Sequence, residues 1–399
     1  MILTMAILTG VGHSQNTNSK DAITEAYRQA TAALQGNHPS FVMLFASATA
    51  HNQQVLLTTL KSLCGQAVIV GCSTAGEITS IAGSLDRSVA LMTIYSDTMK
   101  FVPGIGNDIK SDPRAAGKAL SESILKIGGE KPKAILMLPD GLAGNGADIV
   151  RGVLDVFGQD FMVAGGSAGD DYLFKQTFEY YGNTVLSGTV VGVGLYGNFF
   201  YGIGVRHGWI PIGTPRIATR SKANILYELD GKPAIQIYED HFGKGRNVID
   251  RKEPLARLAI TYPLGIAAPN KDGYLIRDPI TVDDNGAITL AAEIPEGTQV
   301  HIMIGSREEA IDAAGDAAKI AIAQVQGKSI KAVFLFNCIA RKKLLMTKKQ
   351  EEIERIRSII GQDVPLIGFY TYGEQAPLGG EIVTCSFHNE TDVIFVLAE

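Results

Sequence analysis

Three short stretches gather residue types able to bind or react with a small molecule. Val68–Ile78 reads VIVGCSTAGEI, Phe161–Asp171 reads FMVAGGSAGDD and Pro365–Glu374 reads PLIGFYTYGE. Each passes from apolar residues through glycine and hydroxyl or aromatic residues to a second glycine and an acid. The apolar run is the pattern of a strand buried on both faces. The carboxyl end of such strands is where open α/β sheets bind ligands. In the first turn Cys72, Ser73 and Thr74 offer a thiol and two hydroxyls, and amides near Gly71 and Gly76 can receive an anion. The same hydroxyls can instead satisfy their own backbone. Glu77 and Glu374 hold matching places in two of the repeats, with Asp170 or Asp171 in the third. Such acids bind an ammonium group or cap a helix.

A second group lies at and after an apolar run: Asn337, Cys338 and Arg341, in FNCIAR. Arg341 can fork onto a ligand carboxylate or pair with Glu374 or Glu77. Cys338 and Cys72 read either as reactive thiols or as inert buried cysteines. Tyr370 and Tyr372 alternate with Thr371 and share one face of an extended segment, where they wall a pocket or pack in the core. The seven histidines show no HExxH spacing, which argues against a zinc hydrolase. A haem iron needs only one imidazole and leaves no spacing signal, so His207 in VRHGW and His241 in YEDHFG are the axial-ligand candidates.

Two motif matches fail on context. Gly165–Gly169 fits GxSxG, but Asp170-Asp171-Tyr172 follows it in place of an amphipathic helix and no histidine completes a triad. Gly192–Gly197 fits GxGxxG but lies within a strand pair, whereas a dinucleotide site needs strand, turn and helix.

These residues must be positioned by repeated α/β elements. Strands are expected at Phe41–Phe45 and Val68–Gly71, at Ala134–Leu138 and Phe161–Ala164, and at Ala332–Phe336 and Pro365–Ile367. Helices at His51–Leu63, Gly146–Phe157 and Lys348–Ile360 join each pair into a βαβ unit. Further strands follow at Arg87–Tyr95, Thr184–Gly194 and Thr391–Leu397. Helices are expected at Lys20–Leu34 and Glu308–Gln324. Gly188–Val205 is long and nearly uncharged, yet rich in glycine and β-branched residues, and reads as a two-strand hairpin instead of a membrane span. The first residues read as a strand and not a signal peptide. The fold class is α/β: mixed β-sheets flanked by helices, built from repeated βαβ units, in two intimately associated domains, 1–222 and 223–399.

The chain has 399 residues, too many for one ordinary core. Its net charge of −5, with no Lys/Arg block, disfavours a nucleic-acid surface. Four dispersed cysteines disfavour disulfides and covalent haem attachment and suit the cytoplasm.

GCSTAGEI, DGKPAIQIYEDHFG, YPLG…YLIRDP, FNCIAR, GFYTYGEQAP and SFHNETDV, in this order, resemble the FIST family with its N-terminal and C-terminal domains in tandem. The resemblance spans nearly the whole chain. It implies a cytoplasmic sensory protein, not an enzyme, that binds a small ligand such as an amino acid. Its partner would be a histidine kinase or a diguanylate cyclase or phosphodiesterase. One branch of the family implies haem and nitric oxide sensing. An enzyme using Cys338 or Ser167 at the strand-end turns stays open as an alternative.

Overall fold

A computed structural model describes residues 7–242, 255–268, 273–377 and 384–399. Their architecture is one unit used three times. The first unit runs strand Ile7–Ser14, helix Ser19–Thr31, strand Phe41–Ser47, helix Gln53–Cys64 and strand Val68–Thr74. A hairpin of Glu77–Thr79 and Gly83–Leu85 and a closing strand, Val89–Ser96, complete it. The second repeats this order from Met99–Gly106 through Pro113–Gly128, Ala134–Pro139, Gly146–Phe157 and Val163–Gly166 to the hairpin at Glu179–Leu186 and the closing strand Val190–Gly197. The third begins with Phe200–Arg206 and resumes at helix Arg307–Ala323. It continues through Ile330–Cys338, Lys349–Ile360, Leu366–Thr371 and the Glu374–Pro377 and Cys385–His388 hairpin to Asp392–Ala398.

Within each unit the closing strand lies antiparallel between the first and second strands, and the second is parallel to the third. The hairpins do not stay at home. Glu179–Tyr181 pairs with Val68–Thr74, Glu374–Pro377 with Val163–Gly166, and Glu77–Thr79 with Leu366–Thr371. Every unit therefore completes the sheet of another, and the chain closes into a ring. The exchange covers the outer edge of each third strand, which would otherwise expose unpaired backbone.

The inner faces of the three sheets share one core that includes Phe41, Phe45, Phe101, Leu136, Phe334, Phe336, Phe369 and Phe395. Helices cover the outside. Gly-x-Gly recurs in the first strand of each unit, at 10–12, 104–106 and 202–204. A Cβ on Gly12, Gly106 or Gly204 would lie 1.9, 1.9 or 1.8 Å from the carbonyl oxygen of Ala26, Ala116 or Ala317. The glycines thus let an alanine-rich helix rest directly on the strand. Gly204→Ala must push helix Arg307–Ala323 away. We expect a loss of roughly 1–3 kcal/mol or more in urea unfolding, as for other overpacked cores.

Between the first strand and first helix of the third unit, where the other units have a short loop, residues 209–305 form an insert. Its sheet is built on the long strand Trp209–Lys222, paired with Gln299–Gly305 and Ile225–Leu229, over a core of its own that includes Leu226, Tyr238, Leu264, Ile288 and Ile302.

Most of the expected strands and helices are present, with three differences. Gly188–Val205 holds two strands, but they lie in different sheets and do not pair: the corner at 197–199 carries the chain between units. Thr184–Gly194 divides into Thr184–Leu186 and Val190–Gly197 around Gly188, whose φ of 70° bends the chain. The first strand begins at Ile7, and Met1–Ala6 lie outside the described residues. Among the described residues no helix is long and apolar enough to cross a membrane.

Candidate functional site

The three signature turns do converge, backbone to backbone. Amides of Ser73, Ser167 and Tyr370 donate to the carbonyls of Phe178, Gly373 and Gly76, each at 2.8 Å. Amides of Ala75, Gly169 and Tyr372 donate to Tyr370, Ser73 and Ser167 at 3.1, 3.0 and 3.1 Å. These six bonds, two at each junction between units, obey the threefold pattern. Ser73 Oγ also donates to the Gly169 carbonyl at 2.7 Å and accepts from the Phe178 amide at 2.9 Å. Cys72, Ser73 and Thr74 are fully buried.

Each swapped hairpin opens with a buried glutamate: Glu77, Glu179 and Glu374. Thr74 and the Ser88 amide (3.1 Å) donate to Glu77, and Thr371 and the Thr391 amide (3.2 Å) donate to Glu374. Thr189 donates to Glu179 through its hydroxyl at 3.1 Å. The third acid is thus Glu179, not Asp170 or Asp171, because the second unit makes a longer excursion between strand and hairpin. Asp170 caps that excursion, accepting from the amides of Phe174 (2.8 Å) and Gln176 (3.0 Å) and from the Tyr372 hydroxyl. Asp171 accepts from Ser47 Oγ at 2.8 Å and the Thr49 amide at 3.1 Å. Burial raises the Glu77 carboxyl to about 7, that of Glu374 to about 8, and that of Glu179 well above the usual range.

Arg341 pairs with neither Glu77 nor Glu374. Its guanidinium, fully buried, meets Glu352 at 2.6 Å and Asp392 at 2.9 Å. It also donates to the carbonyls of His207 (2.5 Å) and Ala310 (2.7 Å), which flank the entry and exit of the insert. Asn337 Nδ2 joins the same Glu352 at 2.7 Å. Arg341 therefore clamps both crossings of the insert to the ring. Tyr370 is fully buried in the core outside the third sheet. Tyr372 is half-buried, its ring stacked on Phe174 at 4.8 Å.

Beside the clamp, three parts of the chain meet. The ring contributes Cys338, Glu374 and Glu390, and the insert contributes Asp278, Arg277 and Tyr238. The 170–176 loop contributes Tyr172, whose phenol is pushed up first by burial and then by the Asp278 and Cys338 charges. Asp278 and Glu390 are in carboxyl-to-carboxyl contact. Glu390 is fully buried, and no amide, hydroxyl or cation of the described residues donates to either of its oxygens. Burial, with Glu374 and Asp278 nearby, pushes the Cys338 thiol well up; burial does the same to Cys72. Both are poor nucleophiles in this state. Asp278 and Glu390 sit inside YLIRDP and SFHNETDV, but neither stood out, since an acid's role depends on what faces it.

The histidines fit a haem ligand poorly. His207 Nδ1 accepts from the Trp209 amide at 3.0 Å, and burial, then the Arg341 and Arg206 cations, hold its pKa at about 4. His241 is exposed at a cavity of about 360 Å³ lined by Gly213, Thr214, Asp230 and the Arg216–Asp240 ion pair. Ile212, Pro215, Ile237 and Ile302 complete the lining, and the ion pair beside His241 faces the space a porphyrin ring would need.

Fold and site together define a three-unit α/β ring with an inserted domain and a buried polar junction between them. Residues 40–232 match the FIST N domain and residues 234–377 the FIST C domain. The chain belongs to the FIST family, with both domains in tandem, and that family is associated with sensory signal transduction and small-ligand binding. An uncharacterised protein of Mycobacterium tuberculosis is 25% identical over 387 residues, covering 93% of this chain and 95% of its own. One from Methanocaldococcus jannaschii is 24% identical over 368 residues, covering 83% and 68%. Among solved structures, a chorismatase aligns over 100% of both chains at 10% identity with a TM-score of 0.38. A cyanuric acid hydrolase from A. caulinodans aligns over 50% of this chain and 72% of its own at 9% identity with a TM-score of 0.30.

Proposed function

We propose that this chain is a cytoplasmic sensor without chemistry of its own, binding a small ligand at the junction of ring and insert. The observation that carries this is Glu390, fully buried, without a donor among the described residues, and facing Asp278 across the junction. A ligand there touches both bodies, so binding biases their relative arrangement and the surface a partner reads. A histidine kinase, diguanylate cyclase or phosphodiesterase is the expected partner. The thiols of Cys72 and Cys338, held protonated by burial, argue against a cysteine nucleophile at the turns.

The test is a thermal-shift screen of the full chain against amino acids, amines and organic acids, followed by mass spectrometry of each hit. A ligand at a hundred times its dissociation constant adds about 2.7 kcal/mol of stability. A hit recovered unchanged, and lost in Asp278→Asn, supports the reading. A hit converted to product sinks it in favour of an enzyme. A Soret band on the purified protein that shifts with nitric oxide sinks it in favour of the haem branch.

A further inference from the structure

Resting on that sensing reading, we propose that the ligand is a small organic cation, its ammonium group seated between the carboxyls of Asp278 and Glu390 and its carbon chain against Tyr172. Two carboxyl groups in contact need something positive between them, a proton or a cation. The neighbouring cations act on the pair only through space, Arg277 lowering the pKa of Asp278 and Arg341 that of Glu390 against the larger effect of burial, and among the described residues neither donates to Glu390. Arg277 donates to the carbonyls of Glu293 (2.8 Å), Ile276 (2.9 Å) and Phe387 (3.3 Å). The charge of Arg341 goes to Glu352 and Asp392, and only its Nη1 approaches the Glu390 carbonyl, at 3.5 Å. The other titratable groups around the pair and Tyr172 are Glu374, Cys338 and Tyr238, with the cations Arg257 and Lys343 on the Tyr172 side. Among the described residues no three His, Cys, Asp or Glu side chains gather as metal ligands, which favours an organic cation over a metal ion.

The covering loop adds a second, independent sign. Tyr172, Phe174 and Tyr372 form an aromatic set, with ring centroids 4.9 and 4.8 Å apart. Aromatic faces attract cations. Lys343 Nζ already lies 4.3 Å from the Tyr172 centroid, so that ring is in use as a cation surface. Asp171, Tyr172 and Phe174 have φ of 57°, 68° and 53°, and Glu390 has 56°. Four non-glycine residues in the left-handed region at one junction are the kind of stored strain that gathers at ligand clamps.

A bound ammonium displaces the shared proton. Burial raises the Asp278 carboxyl to about 6 and that of Glu390 well above its usual range, so uptake of the cation releases a proton and tightens as pH rises from about 5 to 7.

The experiment is calorimetric titration of the full chain with putrescine, ethanolamine and L-lysine, with 1,4-butanediol as the uncharged control, in phosphate and in MOPS, neither of which is a primary amine. The expected result is binding by at least one amine, none by the diol, and a buffer-dependent enthalpy that reports the released proton. Asp278→Asn and Glu390→Gln should each weaken binding by about tenfold or more, or ~1.4 kcal/mol, and Tyr172→Ala severalfold. If Glu390→Gln fails to fold, the less deeply buried Asp278 carries the test. No amine binding at about 10 mM, a concentration that detects millimolar affinity, overturns the proposal, as does equal binding of the diol. If a neutral or anionic hit from the screen depends on Asp278, the sensing reading stands and the cation falls. If the hits ignore both substitutions, both readings fall.

Discussion

Arg341→Ala is expected to destabilise the chain by about 3–5 kcal/mol, the usual loss when one partner of a buried ion pair is removed. The side chain is wholly buried, as are Glu352 and Asp392, which would be left facing each other. These two carboxyls are already in contact, so loss of the cation leaves them only protons to share. Burial works against the Arg341 charge, but Asp392 and Glu352 outweigh it and raise its pKa. The substitution also strips donors from the carbonyls of His207 and Ala310, at either end of the insert. Urea unfolding followed by far-ultraviolet circular dichroism measures the effect. Arg341→Met combined with Glu352→Gln and Asp392→Asn should recover much of the loss, because neutral buried groups need no counter-charge. A loss under ~1 kcal/mol for Arg341→Ala, a value typical of an exposed ion pair, would show that the clamp is not as buried and charged as described.

Between pH 4.5 and 8 the buried ring glutamates should make the folded chain less stable as pH rises. The carboxyls of Glu77 and Glu374 hold their protons to about 7 and about 8 in the folded state, whereas the unfolded chain releases them near the ordinary glutamate value of 4.5. The folded state binds more protons across this window, so the stabilisation is full below about 4.5 and is lost as pH climbs through the folded values. At 1.36 kcal/mol per unit, the effect is on the order of 3 kcal/mol for Glu77 and 5 kcal/mol for Glu374. The buried histidines slope the other way. Burial holds His207 and His388 at about 4, so each adds stability as pH rises from there to the ordinary histidine value of 6.5. The comparison must therefore be between wild type and Glu77→Gln/Glu374→Gln. The variant keeps an acceptor for Ser88 and Thr391 without an ionisable group. Its unfolding free energy should overtake that of wild type as pH rises to 8. Parallel stability profiles would show that these acids titrate normally.

Much of the fold was legible along the chain. Ala134–Pro139 and Asp392–Ala398 are buried at every position and read as apolar runs, and Gly146–Phe157 is helical over the range its spacing predicted. The glycine–hydroxyl–glycine–acid turns also marked where three repeats meet. The hairpin exchange was not legible. Ile78 opposite Gly368, Tyr180 opposite Gly71 and Gln375 opposite Gly165 are pairings between distant segments, and no local period encodes a partner. The long apolar Gly188–Val205 segment misled for the same reason: periodicity reports burial, not which strand lies alongside.

The site divides in the same way. Asn337, Cys338, Arg341 and Glu374 stood out by residue type next to a strand end. Type alone left Arg341 equally suited to a ligand and to an ion pair, and Glu352 and Asp392 decided it. Glu179 was hidden by eight extra residues of loop chemistry around Asp170, and the Asp278–Glu390 contact by the 112 positions that separate its members. What the amino-acid order by itself determined was which segments are buried and which turns are polar, because side-chain alternation and turn chemistry act over a few residues. Only the tertiary structure decided which buried charge faces which, because a carboxyl group in low dielectric takes its role from the nearest proton, cation or donor, whatever its place in the chain.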